Sequence, residues 1–456
     1  MTATAQDHDL LDSAGDEVVA HLQNLLRLDT RNPPGNEYLA AHYLRDALAR
    51  DGIASEIVGP SPDRASIIAS LRGNGSEPPL LLMSHTDVVA VERDKWTQDP
   101  FGGGIFEGFI YGRGALDMKN MVAMELQTML LLKRRLDAGG LRLKRDVIFM
   151  AAADEEVGGR AGAGWVVENR PELIRAAYAL NEGGGNVRII NGVNYYHVQT
   201  AEKGVQRFRL RARGTPGHAS LQRDDNAVLA LAEMLAHLRN RHLPLHLSAT
   251  ARAYIEGVAA AQAEPTRGRF LALLDPAQCD AALAELDLPQ SLKRQLHAIT
   301  HNTISATILQ AGSQINVIPS VAEAQLDARI VPGETRESFL RELKEIFGDE
   351  AEIEFLSQTG STALEAEVSG PLWRTIEQVL AERAPGSRLV PKMLAGATDA
   401  KHVARLGTQV YGFCPELYVG PDESSRVHGH DERMSVDSLK WGVRTLYDVV
   451  ERFCAA

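Results

Sequence analysis

Five short segments of this chain carry side chains able to hold a metal ion or move a proton. Ser84-His85-Thr86-Asp87 follows the apolar run Leu80–Met83, so His85 stands at a strand's carboxyl end, where open α/β sheets gather ligand-handling groups. Asp87, two residues on, is placed to accept the second ring N–H of His85, which fixes the tautomer and raises the basicity a metal-bound imidazole needs. Gly112-Arg113-Gly114-Ala115-Leu116-Asp117 precedes a helical pattern, where Asp117 is either a ligand or a helix N-cap. Ala153-Asp154-Glu155-Glu156 again closes an apolar run, and three adjacent acids are costly unless a cation offsets some of them. Asn181-Glu182 and Val427-His428-Gly429-His430-Asp431-Glu432 complete the set. Each segment alone reads as well as a turn or a polar surface loop. Jointly, two histidines and three carboxylates are what a co-catalytic pair of borderline metal ions needs, one carboxylate being shared between ions about 3.5 Å apart.

The elements that must position these loops follow from periodicity. Val18, Val19, Leu22, Leu25 and Leu26 recur at helical spacing, as do Leu44 and Leu48 after the breaker Asn32-Pro33-Pro34-Gly35. Apolar runs at Ile67–Leu71, Leu80–Met83, Val147–Ala153 and Ala176–Leu180 alternate with a helical pattern over Met118–Leu136, which predicts a mostly parallel, helix-covered sheet. Near residue 205 the pattern changes: Phe208, Leu210 and Ala212 alternate with Arg207, Arg209, Arg211 and Arg213, a strand with one wet face. Similar alternation in Ile304–Leu309 and Ala322–Ile330, with helical patterns at Ala227–Leu238 and Glu337–Ile346, predicts an α+β unit inserted into the α/β one. A helical pattern at Leu372–Leu380 and an apolar strand at Gln409–Phe413 then resume the first style. We therefore expect a discontinuous domain over 1–203 and 359–456 and an inserted domain over 204–358.

Composition excludes other classes. A chain of 456 residues exceeds one ordinary core, and its 44% apolar and 24% charged residues suit a soluble globular enzyme. A net charge of −12 leaves no basic footprint for nucleic acid. Three widely spaced cysteines, Cys279, Cys414 and Cys454, suit reduced thiols, so a metal has only His, Asp and Glu to bind. A polar, acidic N-terminus and no run of eighteen apolar residues point to a cytoplasmic protein with no membrane partner. No Gly-x-Ser-x-Gly elbow occurs, and no cysteine lies in a catalytic motif, so no covalent acyl-enzyme is expected.

With all five blocks in order over nearly the whole chain, the sequence resembles the zinc metallopeptidase family of aminoacylase, carboxypeptidase G, carboxypeptidase S, acetylornithine deacetylase and succinyl-diaminopimelate desuccinylase. The resemblance implies a zinc exopeptidase-like catalytic domain with an inserted lid or dimerisation domain, two zinc ions per chain, and a homodimer formed through the lid. Manganese or cobalt would suit the same His/carboxylate ligands. It implies that His85 and Glu182 bind one ion, Glu156 and His428 the other, and that Asp117 bridges them. Asp87 would orient His85, and Glu155 would be the general base. His218, in Gly214-Thr215-Pro216-Gly217-His218-Ala219-Ser220, would stabilise an oxyanion, commonly in the partner subunit's site. Asn316, Arg329, Gly396 and Thr398 match positions that hold substrate polar groups, Arg329 as a carboxylate fork. Three features depart from the pattern: Asn181 where relatives often have Asp, Lys401 where several have Arg, and a lid lengthened around Thr250–His301.

The expected reaction is hydrolysis of an amide or peptide bond next to a free carboxylate, of the carboxypeptidase or dipeptidase type. An N-acyl amino acid deacylase is the alternative. A third reading, a silent binding protein, is disfavoured by Glu155, since a pure binder needs no general base.

Overall fold

A computed structural model of the protein describes residues 5–240, 243–349, 351–356, 361–420 and 423–456. The chain forms two compact units, one of Met1–Thr200, Ala366–Pro391 and Thr398–Ala456, the other of Ala201–Glu365 and Lys392–Ala397.

In the first unit the apolar runs become strands Val147–Ala152, Leu80–His85, Tyr178–Asn181 and Gln409–Gly412, side by side in that order and parallel. Leu80 is level with Val147 and with Tyr178, and Tyr178 with Gln409, so all four strands finish at one edge. The parallel sheet that the sequence predicts is thus the centre of a mixed one: Ser66–Leu71 flanks it antiparallel on one side and pairs antiparallel with the edge strand Ser55–Val58, and Val193–Glu202 flanks it antiparallel on the other.

Both faces of this centre are covered, which is why its strands read as continuous apolar runs. Leu80, Leu82, Phe149 and Ala151 pack under helices Ala5–Leu26, Lys119–Asp137 and Val436–Cys454, while Leu81, Met83, Ile148 and Met150 pack against Val166 and Val167 of helix Ala163–Asn169. Helix Lys119–Asp137 has Met118 at its N-cap with no side-chain cap bond, so Asp117 does not cap it. Helix Val436–Cys454 goes beyond the elements expected from the sequence. Ser435 caps it by accepting from the Ser438 N–H, and Leu439, Val443, Leu446 and Val450 line its buried face.

The second unit is the expected α+β fold. Its antiparallel sheet runs in the order Thr303–Ala311, Val321–Ile330, Gly204–Arg213, Glu352–Phe355. Phe208, Leu210 and Ala212 are buried against Leu231 of helix Ala227–Asn240 and Phe339 and Leu343 of helix Arg336–Phe347. On the other face Arg207, Arg209, Arg211 and Arg213 pair across strands with Asp327, Glu354, Glu323 and Glu352. The lengthened segment folds into helices Ala249–Ala260, Thr266–Ala272, Cys279–Glu285 and Gln290–Thr300.

That helical insert begins and ends at one neck. Leu245 bridges His301, and the His246 N–H donates to the Thr300 carbonyl at 2.7 Å. Glu342, on helix Arg336–Phe347, holds both ends: its carboxylate meets His246 Nε2 at 2.5 Å and accepts from Asn302 Nδ2 at 2.9 Å. Glu334 lies 3.2 Å from His246 Nδ1, and the buried Lys203 ammonium donates to the Ala298 and His301 carbonyls. Among the described residues no helix is long and apolar enough to cross a membrane, and all three cysteines are unpaired.

Candidate metal centre

Level strand ends bring the loops that follow them together. His85 closes its strand, Glu155 and Glu156 occupy the turn just after Ala152, and Glu182 follows Asn181. Asp117 lies before helix Lys119–Asp137, and His428 in the loop before strand Arg433–Ser435. Asp117 stands between the two histidines: Oδ1 lies 3.0 Å from His85 Nε2, and Oδ2 lies 3.1 Å from His428 Nε2. His428 Nε2 is also 3.2 Å from Glu156 Oε2, and His85 Nε2 is 3.9 Å from Glu182 Oε1. Ligand atoms of His85, Asp117 and Glu156 lie within 4.8 Å of one another, as do those of His85, Glu155 and Glu182.

This donor set fits a pair of divalent cations. Asp87, Asp117, Glu155, Glu156 and Glu182 put five carboxylates against two imidazoles, and Glu156 Oε1 is buried without a hydrogen-bond partner. Burial would lower the basicity of His85, but its contacts with Asp117 and Asp87 raise it well above the ordinary imidazole value. Asp117 and Glu156 push His428 up to about 10. Burial also opposes ionisation of Asp117, yet His428 and His85 hold its carboxyl well below the usual range. Burial pushes Glu155 up to about 8, in the range of a group that must both take and return a proton near neutrality.

Asp87 acts differently from the expectation. The ring Nδ1 of His85 meets the main-chain carbonyl of Asp87 at 2.9 Å, while the carboxylate stands 3.4 Å away. The carboxylate accepts instead from the Glu155 and Glu156 N–H groups, at 3.0 and 3.1 Å, and from Asn32 Nδ2 at 2.8 Å. Asp87 thus sets the turn that carries Glu155 as well as the ring of His85. Sequence reasoning missed the layer behind it. Arg64 pairs with Asp154 and Glu37 and donates to Asn32 Oδ1 at 2.9 Å, and Glu37 accepts from the Asp154 N–H at 3.2 Å. The one signal for this layer was the first acid of the Asp154–Glu156 run; the Asn32-Pro33-Pro34-Gly35 breaker marks only a turn.

Among the residues matched to substrate positions, Thr398 is buried, and its hydroxyl accepts from Asn181 Nδ2 at 2.9 Å and from the Ala400 N–H at 3.1 Å. Asp399 beside it is buried with neither carboxylate oxygen hydrogen-bonded, the Lys401 ammonium lying 4.0 Å away. Asp399 also dictates a glycine: a Cβ on Gly159, which has φ +72°, would stand 1.9 Å from its Oδ1. The other candidates belong to the second unit. His218 and Asn316 share a two-stranded ribbon, in which His218 pairs with Val317 and the Asn316 carbonyl accepts from the Ala219 N–H at 3.0 Å. His218 is exposed, and its Nδ1 accepts from the Ser220 N–H at 3.2 Å, so the neutral ring carries its proton on Nε2. Arg329 directs its guanidinium at Asp327 of its own strand, at 2.6 and 3.3 Å. Gly396 lies in the bend after strand Arg388–Leu394.

Comparison with known proteins identifies the family. The model of peptidase family M20/M25/M40 matches residues 81–452. The chain is 27% identical to mouse aminoacylase-1 over 433 residues, 93% of this chain and 92% of that one. It is also 27% identical to a probable carboxypeptidase S-like protein of Dictyostelium discoideum, over 82% of this chain and 71% of the other. An M20 family metallo-carboxypeptidase from Sulfolobus solfataricus shares the fold, with a TM-score of 0.66 at 20% identity over 96% of this chain and 99% of that one. The family model spans most of the sequence, and all five ligand-bearing loops lie within it: this chain belongs to peptidase family M20/M25/M40 and is a hydrolytic enzyme.

Proposed function

We propose that this hydrolase cuts an amide or peptide bond adjacent to a free carboxylate, as a carboxypeptidase or dipeptidase, with two zinc ions held by His85, Asp117, Glu156, Glu182 and His428. The observation that carries the reading is Asp117 within 3.1 Å of both His85 and His428 while Glu155, its carboxyl pushed up to about 8, lies within reach of the same cluster. When bound, such a pair of cations supplies Lewis acidity and a water acidic enough to act as nucleophile at neutral pH.

The chain's own groups do the rest. Glu155 takes a proton from the attacking water as oxygen adds to the amide carbon. It then delivers that proton to the departing nitrogen as the C–N bond breaks. His218 donates its Nε2–H to the oxyanion. Asn316, Arg329, Gly396 and Thr398 serve the substrate's carboxylate side, with Arg329 able to exchange its Asp327 partner for that group. The second unit is the lid, and a homodimer forms through it. Its edge strand Thr303–Ala311 exposes Ile308 and Leu309, and helix Ala227–Asn240 exposes Val228 and Leu229, an unpaired edge beside apolar side chains. Three unpaired cysteines fit a reducing, cytoplasmic setting.

Glu155→Gln tests the assignment: turnover of dipeptides should fall roughly 10²–10⁴-fold while bound metal stays at the wild-type level. Unchanged turnover would remove Glu155 from the mechanism. A second reading, hydrolysis of N-acyl amino acids, is favoured by the near-complete two-way coverage with aminoacylase-1. The ratio of kcat/KM for N-acetyl amino acids to that for dipeptides decides between the two.

A further inference from the structure

Two residues of the ligand-bearing motifs are left without a part in this chemistry, and both are buried ions. Glu432 is fully buried and Arg113 is 2% exposed, their side chains 2.5 Å apart. The free Oε1 of Glu432 accepts from the Leu116 N–H at 2.7 Å and the Asp117 N–H at 3.1 Å, and its carbonyl accepts from the Gly112 N–H at 3.0 Å. Arg113 stacks over Trp96 and reaches back to the His428 carbonyl at 3.3 Å. Two charges withdrawn this far from water depend on the hydrogen bonds that take up their remaining valences. Apart from Arg113 Nε, which has none, those bonds go to the main chains of Leu116 and Asp117 and of Ala90 and His428, so each charge is tied to the backbone of one proposed ligand.

His428 needs such a hold. It sits at φ +60° with its side chain half exposed, a conformation that persists only when the surroundings over-determine it. Asp117, in turn, owes the position of its N–H to Glu432.

We propose that the buried Arg113–Glu432 pair is a positioning device that fixes Asp117 relative to His428, so that both are presented to one ion as a unit. The inference rests on the proposed metal centre. It makes metal affinity at the His428 ion, rather than substrate binding, the property the pair controls.

The test uses full-length protein stripped of metal and titrated with zinc by calorimetry, alongside apo-protein melting. In Glu432→Gln/Arg113→Met the amide still offers an oxygen to the two N–H groups, and methionine fills the space over Trp96, but the link to His428 is gone. The expected result is a Kd for one zinc ion raised roughly 10–100-fold with the other unchanged, KM unchanged at saturating zinc, and kcat recovered by excess zinc. Arg113→Lys is the gentler companion, should the double variant fail to fold. It keeps the charge on Glu432 but lacks the fork, and should weaken one of the two zinc ions alone with apo melting near wild type. Wild-type zinc affinity in a folded variant of either kind overturns the proposal. If the wild-type protein itself takes up no zinc, or Asp117→Asn takes up both ions with wild-type affinity, the metal centre falls instead.

Discussion

Asn181 precedes the proposed ligand Glu182, and its amide donates to the Thr398 hydroxyl at 2.9 Å. That bond makes Thr398 a brace beneath the Glu182 loop, and it predicts a ranking. Thr398→Val strands the buried Asn181 donor and should cost roughly 1–3 kcal/mol in chemical unfolding. Asn181→Asp should cost less, because the Thr398 hydroxyl can turn and donate to the new carboxylate. The opposite order would show that the bond does not matter. At this scale the candidate ligands stand out because each lies in a short run of chemically marked residues. Arg64, Glu37 and Asn32 do not. Each is an ordinary polar residue until folding carries Asp154 to it across about a hundred positions of chain, and nothing in its own neighbourhood records that meeting.

Elements were legible where burial leaves a period. The central strands announce themselves as apolar runs because both faces are covered, and the Arg-studded strand Gly204–Arg213 because only one is. Strand Val193–Glu202 gives neither signal: His197, Gln199, Thr200 and Glu202 are all buried in it, so polar residues occupy positions that periodicity reserves for apolar ones. The neck of the insert makes a prediction at this scale. His246 is raised above its ordinary value first by its contact with Glu342 and further by Glu334, against burial and the nearby Lys203. A raised imidazole contributes stability that is complete below the unfolded value of about 6.5 and is lost as pH climbs through the folded one. Amide hydrogen exchange around the neck, corrected for intrinsic rate, should therefore show protection that is full below about pH 6.5 and falls as pH rises above it. His246→Gln should flatten the profile, and an equal slope in the variant would exclude the histidine.

For the whole molecule, the assembly is the question that activity can answer. In the proposed homodimer, mixing Glu155→Gln with His218→Ala chains gives mixed pairs in which one site keeps Glu155 and can borrow His218 from the other chain. If His218 serves the partner's site, random pairing should restore about one quarter of wild-type turnover from two inactive parents. No recovery in dimers verified by light scattering would mean that each chain uses its own histidine. The family was readable from sequence because the five marked loops occur in order over nearly the whole chain, and the change from covered to half-wet strands falls close to Ala201, where the second unit begins. The extra segment was read only as added length, although Ala251, Tyr254, Ile255, Val258 and Ala259, and again Leu292, Leu296 and Ile299, repeat at helical spacing; what periodicity could not give is how its four short helices pack.

That segment leaves and rejoins the second unit at a single point, with Leu245 beside His301 and both margins fastened by Glu342. A stretch attached in this way is topologically a bud: the sheet's strands pair with one another and not with it. Its length can change between Leu245 and His301 without moving a strand, provided that something replaces the Ala298 and His301 carbonyls that receive the buried Lys203 ammonium.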